Sequence, residues 1–401
     1  MSLQNIALKR QGAPPPAERT SALLERLDPL PADRYGILGV EARLRSDSEA
    51  VRGFFAHAYR HFPSQGGEPD LELGAVFRPA GAGAPFVLAG DRWATLAGSA
   101  SPENRAFLFL LEALMDRVDS AVLLHGAALS CEGRGVILAG PAMAGKSTLA
   151  LELMALGHAF LSDDAAPIER ETGLLLPFPR AIGMRKAAGT TASRGLPASS
   201  VLELPHKLLL DPAALGARLP AAPCPPRLLF YLESAPAQPE GDAADRVFEI
   251  ALAAGSGRFG EELRGLGAEA IERADDRPFS TLVARFRAGS HPVAGLTSLW
   301  RQNRDSVLYI EEIRPPAERS DGPPALKRVG AATLLSSLAR DVLNRGEEGR
   351  LMAALGGRLA SLIIELGRLL RAVECYRVTS GSPQSTAAAI DRVARGKEQA
   401  P

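Results

Sequence analysis

The residues that most constrain the fold are Gly140-Pro-Ala-Met-Ala-Gly145-Lys146-Ser147-Thr148, a complete G-x-x-x-x-G-K-[ST] pattern. An apolar run at 136–139 precedes it, and apolar residues at helical spacing follow. A strand, a glycine-containing loop and a helix in this order predict a P-loop, whose backbone N–H groups and helix N-terminus bind phosphate. We predict that this loop holds ATP through Gly140, Ala142, Met143, Ala144, Gly145, Lys146, Ser147 and Thr148.

Within this loop, two side chains have predicted roles of their own. Lys146 is expected to reach the β- and γ-phosphates, and the Ser147 hydroxyl is expected to ligate Mg²⁺. The chain is therefore predicted to use ATP and magnesium.

Three further residues are candidates for the chemistry. Asp163 and Asp164 lie on the next predicted strand, where a carboxylate commonly helps to hold magnesium and a second could face an incoming hydroxyl. His125 lies in an apolar run, 121–131, that a short turn joins to the strand before the P-loop, so the two strands should pair antiparallel. A histidine bonded to a carboxylate can keep that group ionised. A solvated strand end for the aspartates and a core position for His125 remain open alternatives.

Together these residues resemble the HPr kinase/phosphorylase family, and more closely the HPr-kinase-related kinases of peptide-modification clusters. The tight match covers about residues 121–186, and its motifs are Leu124-His125-Gly126-Ala127, the P-loop, Leu156-Gly157-His158 and Ser162-Asp163-Asp164-Ala165. The resemblance implies the P-loop kinase fold shared with phosphoenolpyruvate carboxykinase and phosphorylation of a serine hydroxyl. By motif position it implies that Asp163 is the catalytic base, His125 its partner and Asp164 a magnesium-side carboxylate. The order of the two aspartates is left open.

The chain also departs from the family pattern. Ala142-Met143-Ala144 stands where the family often has a serine and more glycine, and no glutamate-arginine-glycine signature follows. Phosphorolysis and HPr as the substrate are therefore not expected. Basic residues in this region are candidates for contacts with phosphate or substrate, with a solvated basic edge as the alternative; they are Arg180, Arg185, Lys186 and, in a predicted loop, Lys207.

Length and pattern predict the organisation. The 401 residues suggest two or three units. We predict an α/β protein with a disordered arm at 1–20, a small α/β domain at 21–100 and a mixed-sheet P-loop kinase domain at 101–396. Substrate recognition by the small domain is a hypothesis.

Several elements are predicted individually. Strands are expected at 35–44, 121–131, 160–168, 174–178 and 227–233, and helical patterns occur at 243–287 and 332–372. A helix is expected to follow the capping-box pair Ser46 and Glu49. His57 and His61 have a metal-ligand spacing on this helix, but with no third ligand visible they are predicted to be surface residues.

Composition narrows the class of partner. Lys plus Arg and Asp plus Glu both number 46, so no net charge points to nucleic acid or an anionic membrane. The three cysteines are scattered, which favours a reducing compartment without disulfides or zinc. Neither the N-terminus nor the interrupted apolar run at 359–370 is typical of a signal peptide or membrane span. We predict a cytoplasmic protein, with a homo-oligomer left open.

These features predict a kinase acting on a hydroxyl of a peptide or protein. A kinase of a small-metabolite hydroxyl and a nucleotide-binding scaffold or regulatory protein without phosphotransfer are the alternatives. A carboxykinase-like activity ranks last, because no second set of metal ligands is visible in the sequence.

Overall fold

The computed structural model describes residues 17–78, 84–96, 102–141, 144–185, 192–204, 207–220, 222–233, 245–253, 259–276, 279–287, 289–302, 307–312, 323–344, 360–379 and 381–397. Over these residues the protein is a mixed α/β structure, as predicted. None of the helices in these ranges is long and apolar enough to cross a membrane.

Helices are interspersed with runs of strands along the chain. The α-helices are α1 Ala17–Glu25, α2 Glu49–Ala58, α3 Pro102–Arg117, α4 Lys146–Ala155, α5 Phe259–Gly265, α6 Pro292–Gln302, α7 Leu335–Arg340, α8 Ala360–Leu369 and α9 Pro383–Ala394. The first ten strands are β1 Ala32–Ile37, β2 Val40–Ser46, β3 Leu71–Val76, β4 Phe86–Ala89, β5 Arg92–Thr95, β6 Ala121–Leu124, β7 Gly126–Cys131, β8 Arg134–Ala139, β9 Ala159–Ser162 and β10 Ala166–Glu169. The other ten are β11 Ile182–Arg185, β12 Val201–Glu203, β13 Lys207–Leu210, β14 Pro226–Glu233, β15 Arg246–Ala253, β16 Ala268–Asp276, β17 Phe279–Phe286, β18 Val307–Glu312, β19 Ala325–Val329 and β20 Glu374–Thr379.

The N-terminal part is a five-stranded sheet in the order β1-β2-β3-β4-β5. The predicted single strand at 35–44 is wrong, because Leu38 and Gly39 have φ of 49° and 85° and form a turn between β1 and β2. The helix cap is Ser48 rather than Ser46: its side chain accepts from the Val51 N–H. Helix α1 covers residues 17–20, which the predicted disordered arm included.

A six-stranded sheet in the order β19-β20-β14-β8-β7-β9 forms the centre of the protein. The predicted hairpin is confirmed, since β7 and β8 pair antiparallel, while β14 runs parallel to both β8 and β20. Side chains of β8 alternate between two cores. Val136 and Leu138 pack with α4 and α9, and Ile137 and Ala139 pack with α7 and α8. Burial on both faces accounts for the continuous apolar run before the P-loop.

Two predicted strands are each broken where they pass from one sheet to another. The run at 121–131 is divided at His125 into β6 and β7, and the run at 160–168 is divided at 163–165 into β9 and β10. Strands β7 and β9 pair in the six-stranded sheet, whereas β6 and β10 pair with each other outside it. The two breaks therefore lie side by side and form a corner between the sheets. The predicted strand at 174–178 is wrong, since only isolated bridges occur there, at Leu175 and Phe178.

The helical patterns expected at 243–287 are confirmed only at Phe259–Gly265, and the other described elements of this stretch are strands. This region and its continuation form β15-α5-β16-β17-α6-β18, with an antiparallel sheet in the order β16-β17-β15-β18. Its connectivity and strand order match the split βαβ, ferredoxin-like arrangement. In the predicted helical segment at 332–372, α7 and α8 are helical, whereas 345–359 lie outside the described residues.

The N-terminal sheet is fixed to the rest of the protein at the end of α2. His57 Nε2 lies 2.9 Å from the Leu209 carbonyl oxygen, and the Asp211 carboxylate accepts from Arg60 at 2.7 Å and from His61 at 2.8 Å. The prediction that His57 and His61 are surface residues is wrong, because these partners about 150 residues away bury His57 and half-bury His61. One apolar core continues from the N-terminal sheet to Phe178 and Leu209.

We expect Asp211→Asn to lower the free energy of unfolding by about 1–3 kcal/mol at pH 7, because Arg60 and His61 lose a charged acceptor. Burial opposes ionisation of Asp211, but the bonds from His61 and Arg60 outweigh it and lower its pKa. The difference between wild type and variant should therefore be complete at pH 7, above the unfolded-state pKa of about 4. It should shrink as the pH falls through the lowered pKa of the folded state.

Urea unfolding curves at several pH values measure this difference. Asp28→Asn is the matched control, because Asp28 also pairs with an arginine but its side chain is 73% exposed. Its loss should cost about 0–1 kcal/mol. Equal effects of the two substitutions would contradict a structural role for Asp211.

Candidate active site

The P-loop leaves β8 at its C-terminal end and turns into α4. Gly140 and Gly145 have φ of 141° and 90°, in the region that favours glycine. A Cβ atom at Gly140 would lie 2.5 Å from the Leu232 carbonyl oxygen, so any larger residue would force the loop away from β14. Gly145 precedes the first turn of α4, and no side chain caps that helix end. The first turn of a helix presents N–H groups that have no partner within the helix, and such groups suit an anionic ligand.

Lys146 folds back over this loop. Its Nζ atom donates to the carbonyl oxygens of Gly140 at 2.8 Å and Pro141 at 2.9 Å. Burial disfavours the charged form and lowers the pKa of Lys146, although the nearby Asp164 and Asp163 charges act in the opposite direction. The ammonium group is thus held by two carbonyl oxygens of the loop, close enough to both aspartates for their charges to act on it.

Ser147 joins the P-loop helix to the corner between the sheets. Its Oγ atom lies 2.9 Å from Asp163 Oδ1 and 3.0 Å from Oδ2. Asp163 is 1% exposed, and burial followed by the charge of Asp164 raises its pKa to about 7. A hydroxyl and a carboxylate in contact form a hard oxygen donor pair of the kind that Mg²⁺ prefers.

Asp164 occupies a different environment from its neighbour. Its φ of 65° lies in the left-handed region, which is unusual for a residue other than glycine. Burial opposes ionisation, but Lys207 and Arg180 outweigh it and hold the pKa of Asp164 well below its usual range. The side chain is half-buried beside β11 and β13. Of the two carboxyl groups, Asp164 therefore has the lower pKa and is the more accessible.

His125 contacts Asp164 through the backbone. Its Nδ1 atom lies 3.0 Å from the Asp164 carbonyl oxygen, which can only accept, so Nδ1 carries the proton. Burial, followed by the Lys146 charge, lowers the pKa of His125 to about 4. A neutral imidazole thus fixes the backbone of Asp164 in its unusual conformation, rather than bonding to a carboxylate as the resemblance implied.

Arg180 rests on aromatic rings from both parts of the protein. Its guanidinium carbon lies 5.3 Å from the ring centroid of Tyr59 and 5.8 Å from that of Phe178. Tyr59 follows α2 in the N-terminal part, so that part reaches the candidate site. Within the described structure, Arg180 Nε and the Tyr59 hydroxyl are buried without a hydrogen-bond partner.

The structure brings most of the predicted residues together. Lys146, Ser147, Asp163, Asp164 and His125 are linked by contacts or by their charges, and Arg180 and Lys207 lie close enough to act on Asp164. Lys207 is on β13 and not in a loop as predicted. Arg185 is opposite it on β11. Three predicted residues lie outside the described part: Ala142, Met143 and Lys186.

Sequence reasoning missed two residues of the site: Tyr59, whose ring lies beside Arg180, and Gly183, where a Cβ atom would lie 3.5 Å from Asp164 Oδ2. Both reach it through tertiary packing alone, and no local motif marks either position. Among the described residues, one further group of possible metal donors comprises the buried Cys131 at the end of β7 and His158 after α4, together with Asp391 of α9. Asp391 already bonds to Arg395 and His158, so its charge is satisfied within the protein.

We expect Tyr59→Phe to leave the free energy of unfolding unchanged or slightly higher. A buried hydroxyl without a partner pays a desolvation cost that phenylalanine avoids, while the ring contacts with Arg180 and Phe178 persist. Urea unfolding measures this difference. Tyr376→Phe is the control, since its hydroxyl donates to Glu374 at 3.0 Å and its loss should cost about 0.5–1.5 kcal/mol. A similar cost at Tyr59 would show that its hydroxyl has a partner.

Comparison with known proteins supports the family resemblance over part of the chain. Curated HPr kinase/phosphorylases from two strains of Clostridium botulinum, Eklund 17B and Alaska E43, are each 37% identical to it over 97 residues. These cover 22% of this chain and 31% of each relative, so the chain spans about a third of the relatives that it matches.

Two other comparisons add less. No protein-family model matches the chain. A solved structure of the Hpr(Ser) kinase/phosphatase from Coxiella burnetii aligns with 45% of this chain and 95% of its own, at 17% identity and a TM-score of 0.19, which is too distant to support an argument. The two curated relatives nevertheless confirm the resemblance predicted from the sequence: over the matched segment, this chain is HPr kinase/phosphorylase-like.

Proposed function

We propose that this chain is an ATP- and magnesium-dependent kinase that transfers the γ-phosphate to a serine-type hydroxyl on a peptide or protein. The observation that carries the proposal is the bond between Ser147 and Asp163, which joins the P-loop helix to the paired aspartates. This bond holds Asp163 beside the loop, so the next residue, the more accessible Asp164, lies in the same site. A protein that only binds nucleotide has no need of the second carboxylate.

The residues present fit ATP and magnesium. The backbone of Gly140 and Gly145 and the first turn of α4 suit a polyphosphate, and Lys146 is held where it can exchange its carbonyl partners for phosphate oxygens. Ser147 and Asp163 offer oxygen donors for the metal. When bound, magnesium would neutralise charge on the phosphates during transfer.

The geometry favours exchanging the roles that the resemblance implied for the two aspartates. Asp163 bonds to Ser147 and is buried, which suits the magnesium side. Asp164 is only half-buried and lies near the cationic Lys207 and Arg180, which suits contact with the acceptor. Neighbouring carboxylates in such different environments are typical of sites that use them for different tasks.

In the proposed reaction, Asp164 accepts a hydrogen bond from the acceptor hydroxyl and orients its oxygen towards the γ-phosphorus. The new O–P bond forms as the bond from phosphorus to the β–γ bridging oxygen breaks, leaving ADP. Since Asp164 has a low pKa, it is a weak base, and the proton moves to it only after O–P bond formation has made the hydroxyl acidic. Lys146 and Arg180 supply positive charge around the transferring group.

A phosphate-transfer assay tests the proposal. Purified protein is mixed with labelled ATP, magnesium and a pool of serine peptides with randomised flanking positions. We expect Asp164→Asn to reduce transfer by about 100-fold or more while ATP binding is retained. Asp163→Asn should raise the magnesium concentration needed for transfer, and Lys146→Ala should weaken ATP binding.

The variants separate the alternatives. If Asp163→Asn abolishes transfer at every magnesium concentration while Asp164→Asn does not, the roles implied by the resemblance are correct and the exchange is wrong. ATP binding without transfer to peptides, and with no effect of either aspartate, would favour a nucleotide-binding scaffold. Label appearing only on small hydroxyl compounds would favour a metabolite kinase.

A further inference from the structure

Gly183 lies in the middle of β11, on the side of the site that carries Asp164 and Lys207. We propose that Gly183 is a specificity-determining residue for the acceptor. Its missing side chain leaves the space through which a hydroxyl on a peptide side chain reaches Asp164. This inference rests on the proposed kinase function and deepens it, because it names the residue that admits the acceptor.

The geometry around Gly183 supports this role. A Cβ atom built at this position would lie 3.4 Å from Lys207 Nζ, 3.5 Å from Asp164 Oδ2 and 3.7 Å from a methyl group of Leu209. A methyl group here would touch both the carboxylate and the ammonium group. The bare backbone of Gly183 is therefore the floor of the space between these two charges.

The pairing of β11 with β13 fixes which side of the strands forms this floor. Ile182 and Met184 are buried in a core on the opposite side, together with Leu208 and Leu210. Since side chains alternate along a strand, position 183 must project with Arg185 and Lys207 towards the site. A residue other than glycine could not turn away from Asp164 without breaking this register.

No backbone requirement accounts for the glycine. The φ of Gly183 lies outside the left-handed region, unlike those of Gly140 and Gly145 in the P-loop. Glycine inside a strand weakens it and often marks a place where another molecule approaches the backbone. A larger residue at position 183 could adopt the backbone conformation, but its side chain would fill the space beside Asp164.

The size of this space predicts a difference between acceptors. A serine-type hydroxyl brings its own carbon atoms into the site, so it needs the volume that a methyl at position 183 would fill. Water is smaller than a serine side chain, so it can reach the γ-phosphate without occupying the space beside Gly183. Alanine at 183 should therefore impair transfer to a peptide more than hydrolysis of ATP.

The test compares Gly183→Ala with wild type in the same serine peptide pool. We expect transfer to the pool to fall roughly tenfold or more, since small misplacements of reacting groups have effects of that size. Hydrolysis of ATP without peptide and the Kd for ATP with magnesium should change less than about twofold. The thermal midpoint should not fall, because the nearest atoms are the ends of side chains and alanine favours the strand more than glycine.

Two further variants make the test specific. Gly53→Ala is the matched control, because Gly53 is exposed on α2 and a Cβ atom built there would meet no atom within 4 Å beyond its chain neighbours and its own helix backbone. This variant should leave transfer unchanged. Lys207→Met removes the ammonium charge beside position 183 and so separates the effect of charge from the effect of the added methyl volume. If the methyl acts by filling space, Gly183→Ala should have the same fold effect in the Lys207→Met background, whereas an effect that disappears there would overturn the inference.

The remaining outcomes distinguish this inference from the function on which it rests. A wild-type protein that transfers label to the pool, with an unchanged ratio of transfer to hydrolysis in Gly183→Ala, would overturn the role of Gly183 alone. Parallel loss of transfer and hydrolysis would also overturn it. A wild-type protein that transfers no label to any hydroxyl would overturn the proposed kinase function, and the inference would fall with it.

Discussion

The corner at which β6–β7 and β9–β10 pass between sheets is the constraint on which the candidate site depends. On an unbroken strand, adjacent residues such as Asp163 and Asp164 would project to opposite faces, and only one could face the P-loop. At the corner, the φ of 65° at Asp164 frees the two side chains from this alternation. One carboxylate bonds to Ser147 while its neighbour faces β11 and β13. A left-handed conformation at a non-glycine residue costs free energy, and such strain is commonly retained at functional sites.

The surroundings of the corner stabilise that conformation. The neutral His125 ring donates from Nδ1 to the Asp164 carbonyl oxygen. The backbone N–H of His125 donates to the Asp341 carbonyl oxygen at 2.8 Å. Gly126 brings β7 so close to β8 that a Cβ atom would lie 2.5 Å from the Leu138 carbonyl oxygen. The histidine thus acts on the accessible carboxylate through the backbone, by fixing where it points rather than by sharing its charge.

Short-range signals in the sequence predicted the strands and the helix around residues 140–148 well. The P-loop, the β7–β8 hairpin and the strand that becomes β14 each depend on residues within about ten positions of one another. The breaks at His125 and Asp163 were not predicted, because each run is apolar on both sides of the polar residues at which it breaks. The charged run of β16, rich in alanine, glutamate and arginine, favours a helix locally and becomes a strand only by pairing with β17.

The proposed acceptor side is assembled from segments that are far apart in the sequence. Asp164 comes from the corner, Gly183 from β11, Lys207 from β13, and Arg180 is supported by Tyr59 of the N-terminal part. Their positions relative to one another depend on the β11–β13 pairing and on the contacts of His57, Arg60 and His61 with residues next to that pairing. A change in any of these segments can reshape the acceptor side without touching the P-loop. In the proposed kinase, the nucleotide side is therefore encoded by local sequence, whereas the acceptor side is set by how the N-terminal part packs against β13.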